Sequence, residues 1–178
     1  MKCLLAAALA AAVLFAPTSV AAQDANPLMD SVKAQMTLVK GVLIRTAEKV
    51  PEPIWSFQPT PEVRTFGQII GHIADSNIGI CSAAAGEKPT PVNAEKSLKT
   101  KAELSKALAD SFAYCEKIAA GMDDKKALEV TKFFGQMQVR GMVLAFNTVH
   151  DYEHYGNLVT YMRINKIVPP SSEKGGMD

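Results

Sequence analysis

The chain has 178 residues, 48% of them hydrophobic, and a formal net charge of +1. Its 19 basic and 18 acidic residues nearly balance and form no dense basic stripe. A nucleic-acid partner is therefore not expected, because neutralising phosphates requires clustered Lys and Arg. The length predicts a single folded domain.

The first residues have the pattern of a secretory signal. Lys2 precedes the apolar run CLLAAALAAAVLFA, and the small residues of a cleavage site end at Ala22. The pattern predicts a signal peptide over 1–22, a mature chain that starts at Gln23, and a secreted or periplasmic protein. The run is shorter than the about 20 apolar residues of a membrane-spanning helix. No later segment is long enough either, so no membrane partner is expected for the mature form.

Four amphipathic helices are predicted in chain order. Pro27 stands at a first helical position, and apolar residues recur behind it at helical spacing. Capping boxes, in which a Thr side chain and a Gln or Glu three residues later cap each other, open the second and third helices at Thr65 and Thr100. The fourth helix is the longest proline-free stretch. The predicted bounds are about 27–49, 65–86, 100–121 and 136–165.

These elements define the predicted fold class. No segment alternates apolar and polar residues with β-branched enrichment, so no sheet is expected. The fold is therefore predicted to be all-α, a four-helix bundle over 23–168. The proline-rich connector PEPIWSFQPTPEVR is expected to run extended between the first two helices. The residues 169–178 are rich in Pro, Ser and Gly, which predicts a flexible tail.

Two cysteines, Cys81 and Cys115, are left once the signal that carries Cys3 is removed. An exported chain meets an oxidising compartment, in which disulfides form and persist. The sequence leaves two interpretations open. The pair forms a disulfide, or the two residues are buried thiols that behave as small apolar side chains.

The chain contains three histidines, which occur at two places. His150 and His154 are four residues apart in HDYEH, so a helix presents both on one face. His72 lies in IIGHIADS on the second helix, among residues expected to face the core. If the second and fourth helices adjoin, the three imidazoles converge. They would then form a divalent-metal site with a fourth position open for water or substrate.

Helical spacing also places polar residues next to these ligands. Asp75 lies one turn from His72 and is the expected orienting partner of that ring. The other expected neighbours are Asn147, Asn157 and Tyr161. Glu153 is a candidate catalytic base, because HDYEH fits the HxxEH pattern of inverzincin proteases. Such proteases need a downstream glutamate ligand, and the glutamate that follows, Glu173, lies in the predicted tail. The sequence therefore argues against a protease.

Three functions are compatible with these features. The first is an exported metalloenzyme, a hydrolase or thiol transferase, whose metal activates water or a thiol toward a small-molecule substrate. The second is a module that binds a metal or small ligand without turnover, with Glu153 as a fourth ligand. The third is a structural bundle in which the histidines are separate core residues.

Two segments carry a family resemblance: RTFGQIIGHIADS, with its single histidine, and NTVHDYEHYGNLVTYMRINKIVPP, with its HxxxH pair and terminal Pro-Pro. Together they resemble the DinB-like family of helical-bundle metalloenzymes. The resemblance implies a four-helix bundle and a zinc or nickel site on His72, His150 and His154. It also implies that the chain can form a homodimer. Some similar proteins are thiol-dependent transferases or isomerases. The signal peptide departs from the mostly cytosolic pattern of the family.

Overall fold

The computed structural model describes residues 26–175. The predicted signal peptide over 1–22 and its Cys3 lie outside the described residues. The elements, in chain order, are α1 (Pro27–Lys49), α2 (Phe66–Ala85), α3 (Ala94–Ser97), α4 (Lys101–Ala120), α5 (Asp124–Ala127), β1 (Val130–Phe133), β2 (Gln136–Val139) and α6 (Arg140–Ile164).

The four long helices form a closed ring of neighbours. α2 packs against α4 and α6, and α1 packs against the same two helices. The second and last long helices therefore adjoin, which is the condition for convergence of the histidines. None of the helices within 26–175 is long and apolar enough to cross a membrane.

The starts of the helices follow the sequence signals. The capping boxes at Thr65 and Thr100 are both complete. In each, the Thr side chain accepts from the backbone N–H three residues later, and the Gln68 or Glu103 side chain accepts from the backbone N–H of the Thr. α1 begins at Pro27 as predicted, but Asn26 makes no side-chain cap bond. The Asp124 carboxylate caps α1 instead, since it accepts hydrogen bonds from the first free backbone N–H groups of that helix at 2.8 and 3.1 Å.

The prediction of a chain without a sheet is wrong for one short segment. β1 and β2 pair as an antiparallel hairpin of four residues each, and the last helix begins at Arg140 and not at Gln136. The turn residues Phe134 and Gly135 both have positive φ, at 45° and 79°, as a two-residue type I′ turn requires. Strands this short contain too little alternation to be separated from the start of a helix.

A layer of polar side chains separates two apolar clusters in the bundle. On α2 the buried members of one cluster end at Ile73 and those of the other resume at Ile80. On α6 the corresponding residues are Tyr155 and Leu144. The buried polar side chains that lie between these limits are Asn77, Asn147, Thr148, Asp151 and His154. Burying polar groups is unfavourable unless they are partnered, so a buried polar layer of this kind is a candidate functional site.

The segments before α2 and after α6 pack on the bundle. The connector contains a 3₁₀ turn at Glu52–Ser56 where an extended chain is predicted, and Trp55 in it is buried. Its Nε1 donates to the Val50 carbonyl at 3.1 Å. In the predicted tail, Pro170–Ser172 forms another 3₁₀ turn. There the Tyr155 hydroxyl donates to the Ser171 hydroxyl at 2.8 Å, which fixes this turn to α6.

Cys81 of α2 and Cys115 of α4 form a disulfide, with their Cα atoms 5.4 Å apart. Of the two interpretations that the sequence leaves open, the structure therefore has the disulfide. Both residues are fully buried. The bond joins two helices that already pack against each other, nine residues along α2 from His72.

Candidate metal centre

The three histidines converge at the polar layer. His72 comes from α2, and His150 and His154 come from α6. The ring centroids lie 5.2 Å apart for His72 and His150, 4.7 Å for His72 and His154, and 4.4 Å for His150 and His154. One ligand atom from each residue lies within 4.8 Å of the other two. This histidine cluster could hold a metal ion.

A carboxylate orients His72. Its Nδ1 lies 3.1 Å from Oε2 of Glu95, and Oε1 of the same carboxylate accepts from Nε of Arg64 at 2.9 Å. When Nδ1 donates to Glu95, Nε2 carries the free lone pair of the ring. A carboxylate in this position fixes both the tautomer and the orientation of a ligand histidine.

Close packing of α3 on α2 places Glu95. The Asp75 carboxylate accepts from the backbone N–H of Ala94 at 2.8 Å and of Glu95 at 3.0 Å. A Cβ on Gly71 would lie 2.7 Å from the Cα and N of Glu95, so only glycine allows this approach. Asp75, expected from the sequence to orient His72 directly, instead reaches that ring through the backbone of Glu95.

Asp151 places a buried carboxylate beside His150. Its Oδ2 accepts from Nδ2 of Asn147 at 3.2 Å, and its Oδ1 lies 4.0 Å from Nδ1 of His150. Within 26–175, neither Asp151 Oδ1 nor His150 Nδ1 has a hydrogen-bond partner. Burial raises the pKa of Asp151 to about 6, although His150 lowers it. The hydrogen bond from Asn147 holds the Asp151 carboxylate in its position facing His150, a candidate metal ligand.

The two histidines of α6 face each other. Nε2 of His154 lies 3.1 Å from Nε2 of His150, and Nδ1 of His154 lies 3.4 Å from the amide of Asn157. Tyr161 is linked to the cluster through Arg64. Its hydroxyl donates to the backbone carbonyl of Arg64 at 2.8 Å, and the Arg64 side chain pairs with Glu95. Glu153 is exposed and is not a member of the histidine cluster.

Burial and nearby positive charge favour neutral histidines. The pKa of His154 is lowered to about 4, and burial is the largest cause. Repulsion from His150, His72 and Arg64 contributes to the same shift. Burial and Arg64 also lower the pKa of His72, against the opposing effect of Glu95. Burial raises the pKa of Glu95, but Arg64 and His72 outweigh it and lower the pKa below its ordinary value. Neutral imidazole is the form that binds a metal.

The separations fit a small divalent cation. Zinc-to-nitrogen distances of about 2.0–2.1 Å place the ligand nitrogens of a tetrahedral site about 3.4 Å apart. His150 and His154 are already near that spacing, at 3.1 Å. Among the described residues, the cluster contains three ligand side chains and not four. Such a site leaves a coordination position for water or substrate, as catalytic zinc sites do.

Residues 35–158 match the family model of the DinB superfamily. The chain belongs to the DinB superfamily. A crystal structure of a DinB-like protein from Bacillus cereus ATCC 10987 is similar, with a TM-score of 0.65 and 16% sequence identity. The match covers 80% of this chain and 93% of that one. At this identity the likeness shows the fold alone. No curated protein matches the chain.

In this DinB superfamily protein, two cavities reach the histidine cluster. One has a volume of about 870 Å³, and polar residues that include Arg64, Glu95 and Gln68 line it together with His154. The other has a volume of about 920 Å³, is lined by His72, His150 and three phenylalanines among others, and presents a mostly apolar surface. The candidate metal centre is therefore accessible to small molecules.

Sequence reasoning missed Arg64, Glu95 and Asp151. Glu95 follows a loop without periodicity, so no local pattern could place it beside α2. Asp151 does carry a signal, because it follows the buried Leu144 by seven residues and therefore lies on the same face of α6. A carboxylate on a buried helix face is rare enough to suggest a functional role.

Proposed function

We propose that this protein is an exported metalloenzyme in which His72, His150 and His154 hold a zinc or nickel ion. The observation that carries the proposal is the convergence of three imidazoles from two helices, which supply three ligand side chains among the described residues. When bound, such an ion supplies a Lewis acid that lowers the pKa of water or of a thiol.

The donor set supports zinc or nickel over harder cations. Three imidazole nitrogens suit zinc, nickel and copper, whereas magnesium and calcium prefer oxygen ligands. Cys81 and Cys115 are joined to each other and offer no thiolate. Two carboxylates lie behind the cluster, Glu95 beside His72 and Asp151 beside His150. The role of Glu95 is to hold the His72 ring through its hydrogen bond and keep the lone pair of Nε2 directed inward. Asp151 places a carboxylate 4.0 Å from Nδ1 of His150.

Export is supported by two independent features. The N-terminal pattern is that of a cleavable signal, and the buried disulfide is typical of proteins that fold in an oxidising compartment. Such a compartment contains few reduced low-molecular-weight thiols, which favours water as the activated group and a hydrolase as the reaction class. N-terminal sequencing of protein recovered from the periplasm or medium should begin at Gln23. A chain that keeps its first residues and stays in the cytosol would contradict export.

Elemental analysis tests the metal site. The full protein is purified from cells grown with added zinc or nickel, and its metal content is compared with that of two variants. His150→Ala/His154→Ala is expected to lose the metal. Glu153→Ala, an exposed change between the same two histidines, is expected to retain about one ion per chain. Equal and negligible metal in all three proteins would overturn the proposal.

An open coordination position distinguishes an enzyme from a closed binding module. The cobalt-substituted protein reports it, because the visible spectrum of cobalt(II) changes when an exogenous ligand such as azide binds the metal. We expect the spectrum to shift on addition of azide. An unchanged spectrum would indicate that a fourth protein ligand closes the site, which would favour binding without turnover.

A further inference from the structure

The 920 Å³ cavity beside His72 and His150 has an aromatic end and a polar end. We call it the phenylalanine pocket. The residues that define it here are His72, Gly79, Phe133, Phe134, Phe146 and His150. Its volume is within the about 300–1,000 Å³ of pockets that bind drug-sized molecules.

The aromatic end is a continuous wall of rings. Phe133 contacts Phe134 with ring centroids 4.2 Å apart and Phe146 with centroids 5.3 Å apart. Phe146 in turn lies 6.4 Å from the ring of His150. The hairpin thus extends an apolar surface directly up to a candidate metal ligand. Aromatic walls of this kind bind flat or branched apolar groups through burial and ring contacts.

The half-buried polar side chains of the pocket that are available to a ligand are those at the histidine end. Thr131 uses its hydroxyl hydrogen to bond the Ala83 carbonyl at 2.8 Å, so it offers no donor to a ligand. The Ser76 hydroxyl lies 3.5 Å from Nε2 of His72. The charged residues that line the pocket are exposed, and they are Glu87, Lys88 and Lys132. An elongated ligand would therefore direct its polar group to the histidines.

Gly79 provides room within the pocket. It lies on α2 and lines the cavity, and a Cβ built on it would meet no atom within 4 Å. A side chain at this position would therefore enter the cavity without displacing the protein. The same property makes Gly79 the best position for blocking the pocket.

We infer that the phenylalanine pocket binds the apolar body of a small aromatic or branched-alkyl substrate whose polar group faces His72 and His150. The orientation of the polar group rests on the proposed function, whereas binding of the apolar body rests on the pocket alone. The 870 Å³ cavity does not compete for this role, because its lining is mostly polar. The substrate class is thus an apolar molecule with one metal-binding head.

A pair of probes with the same head tests the inference. Benzohydroxamate and acetohydroxamate share a metal-chelating group and differ by a phenyl ring in place of a methyl group. Titration calorimetry of the zinc-loaded full protein should show benzohydroxamate binding roughly tenfold tighter or more, since burying a ring supplies about that gain. The ratio of the two affinities is the measured quantity.

Two glycine variants locate the effect. Gly79→Leu fills the pocket and should reduce the ratio to about one. Gly156→Leu is the matched control, because Gly156 is also helical, also has open space around its Cβ position, and does not line the pocket. It should keep the wild-type ratio. Thermal unfolding of both variants checks that each is folded.

The outcomes separate the two proposals. If the protein binds zinc but shows no preference for the phenyl probe, or if Gly79→Leu keeps the preference, the inference is wrong and the proposed function stands. If neither zinc nor nickel binds, the proposed function fails, and the pocket is tested by fluorescence of 1-anilinonaphthalene-8-sulfonate with the metal-free protein. Loss of dye binding in Gly79→Leu but not in Gly156→Leu supports the pocket, and equal binding in both overturns it.

Discussion

The Glu95 carboxylate lies 3.1 Å from Nδ1 of His72, across 23 residues of sequence. Glu95 belongs to α3, a helix of only four residues that lies in the connection between α2 and α4. The orientation of the α2 ligand therefore depends on an element outside α2 and α6. The candidate metal centre is built by three helices and not by two.

Replacing Glu95 with Gln should weaken zinc binding by roughly 10- to 100-fold, the usual effect of losing a carboxylate behind a ligand histidine. An amide oxygen is a weaker acceptor for the Nδ1 hydrogen of His72, and the ring loses its preferred tautomer. Competition titration against a chromophoric chelator measures the affinity. Glu116→Gln is the control, because that carboxylate is exposed and pairs with Lys40 at 2.6 Å. Equal affinity in E95Q and E116Q would show that Glu95 does not act on the site.

Gly71→Ala should lower both zinc affinity and stability. The added methyl group would lie 2.7 Å from the backbone of Glu95, so α3 must move away from α2. Overpacking of this kind costs about 1–3 kcal/mol. Urea unfolding and zinc titration measure the two effects. Gly156→Ala, which meets open space, should leave zinc binding unchanged and stabilise the helix by up to about 1 kcal/mol. If both variants behave alike, the close approach is not what places Glu95.

The long helices could be predicted because their signals are local. A capping box or a proline at a first helical position involves residues within one turn, and the structure retains those at Thr65, Thr100 and Pro27. The hairpin before α6 could not, because four-residue strands leave too short a pattern. Its turn was still visible in principle, since Gly135 offers the positive φ that a type I′ turn requires.

The histidine cluster was predictable for a different reason. The chain has three histidines, two at helical spacing and one on an apolar face, and the sequence predicts that they converge if the second and fourth helices adjoin. The residues that orient them were not predictable in the same way. Glu95 reaches His72 through a loop, and its position depends on the contact of Asp75 and Gly71 with α3. Contacts between distant segments of this kind leave no periodic signal.

Replacing Cys81 and Cys115 with Ala should lower the free energy of unfolding by about 3–4 kcal/mol. The disulfide closes a loop with a sequence separation of 34 residues, and restriction of the unfolded chain by a loop of that length stabilises by about this amount. Urea unfolding with and without a phosphine reductant measures the change. Reductant should shift the unfolding midpoint of the wild type and leave the variant unaffected. If neither the replacement of the cysteines nor the reductant shifts the unfolding midpoint, the two cysteines do not form a disulfide.

The metal-free protein should show two opposing pH effects on stability. The pKa of His154 is lowered from 6.5 to about 4 in the folded state. As the pH falls between those values the unfolded chain binds a proton that the folded chain does not, and stability decreases. The pKa of Asp151 is raised from 3.8 to about 6. Over that window the folded chain binds the extra proton, so stability increases as the pH falls.

Single variants should separate these two effects, since each contributes a slope of up to about 1.4 kcal/mol per pH unit. Urea unfolding in EDTA, at steps from pH 7 to pH 4, gives the free energy of unfolding of each protein. Relative to the wild type, His154→Gln should become more stable as the pH falls, because it lacks the destabilising effect of His154. Asp151→Asn should become less stable over the same range, because it lacks the stabilising effect of Asp151. Parallel profiles for all three proteins would mean that neither group titrates as its burial requires.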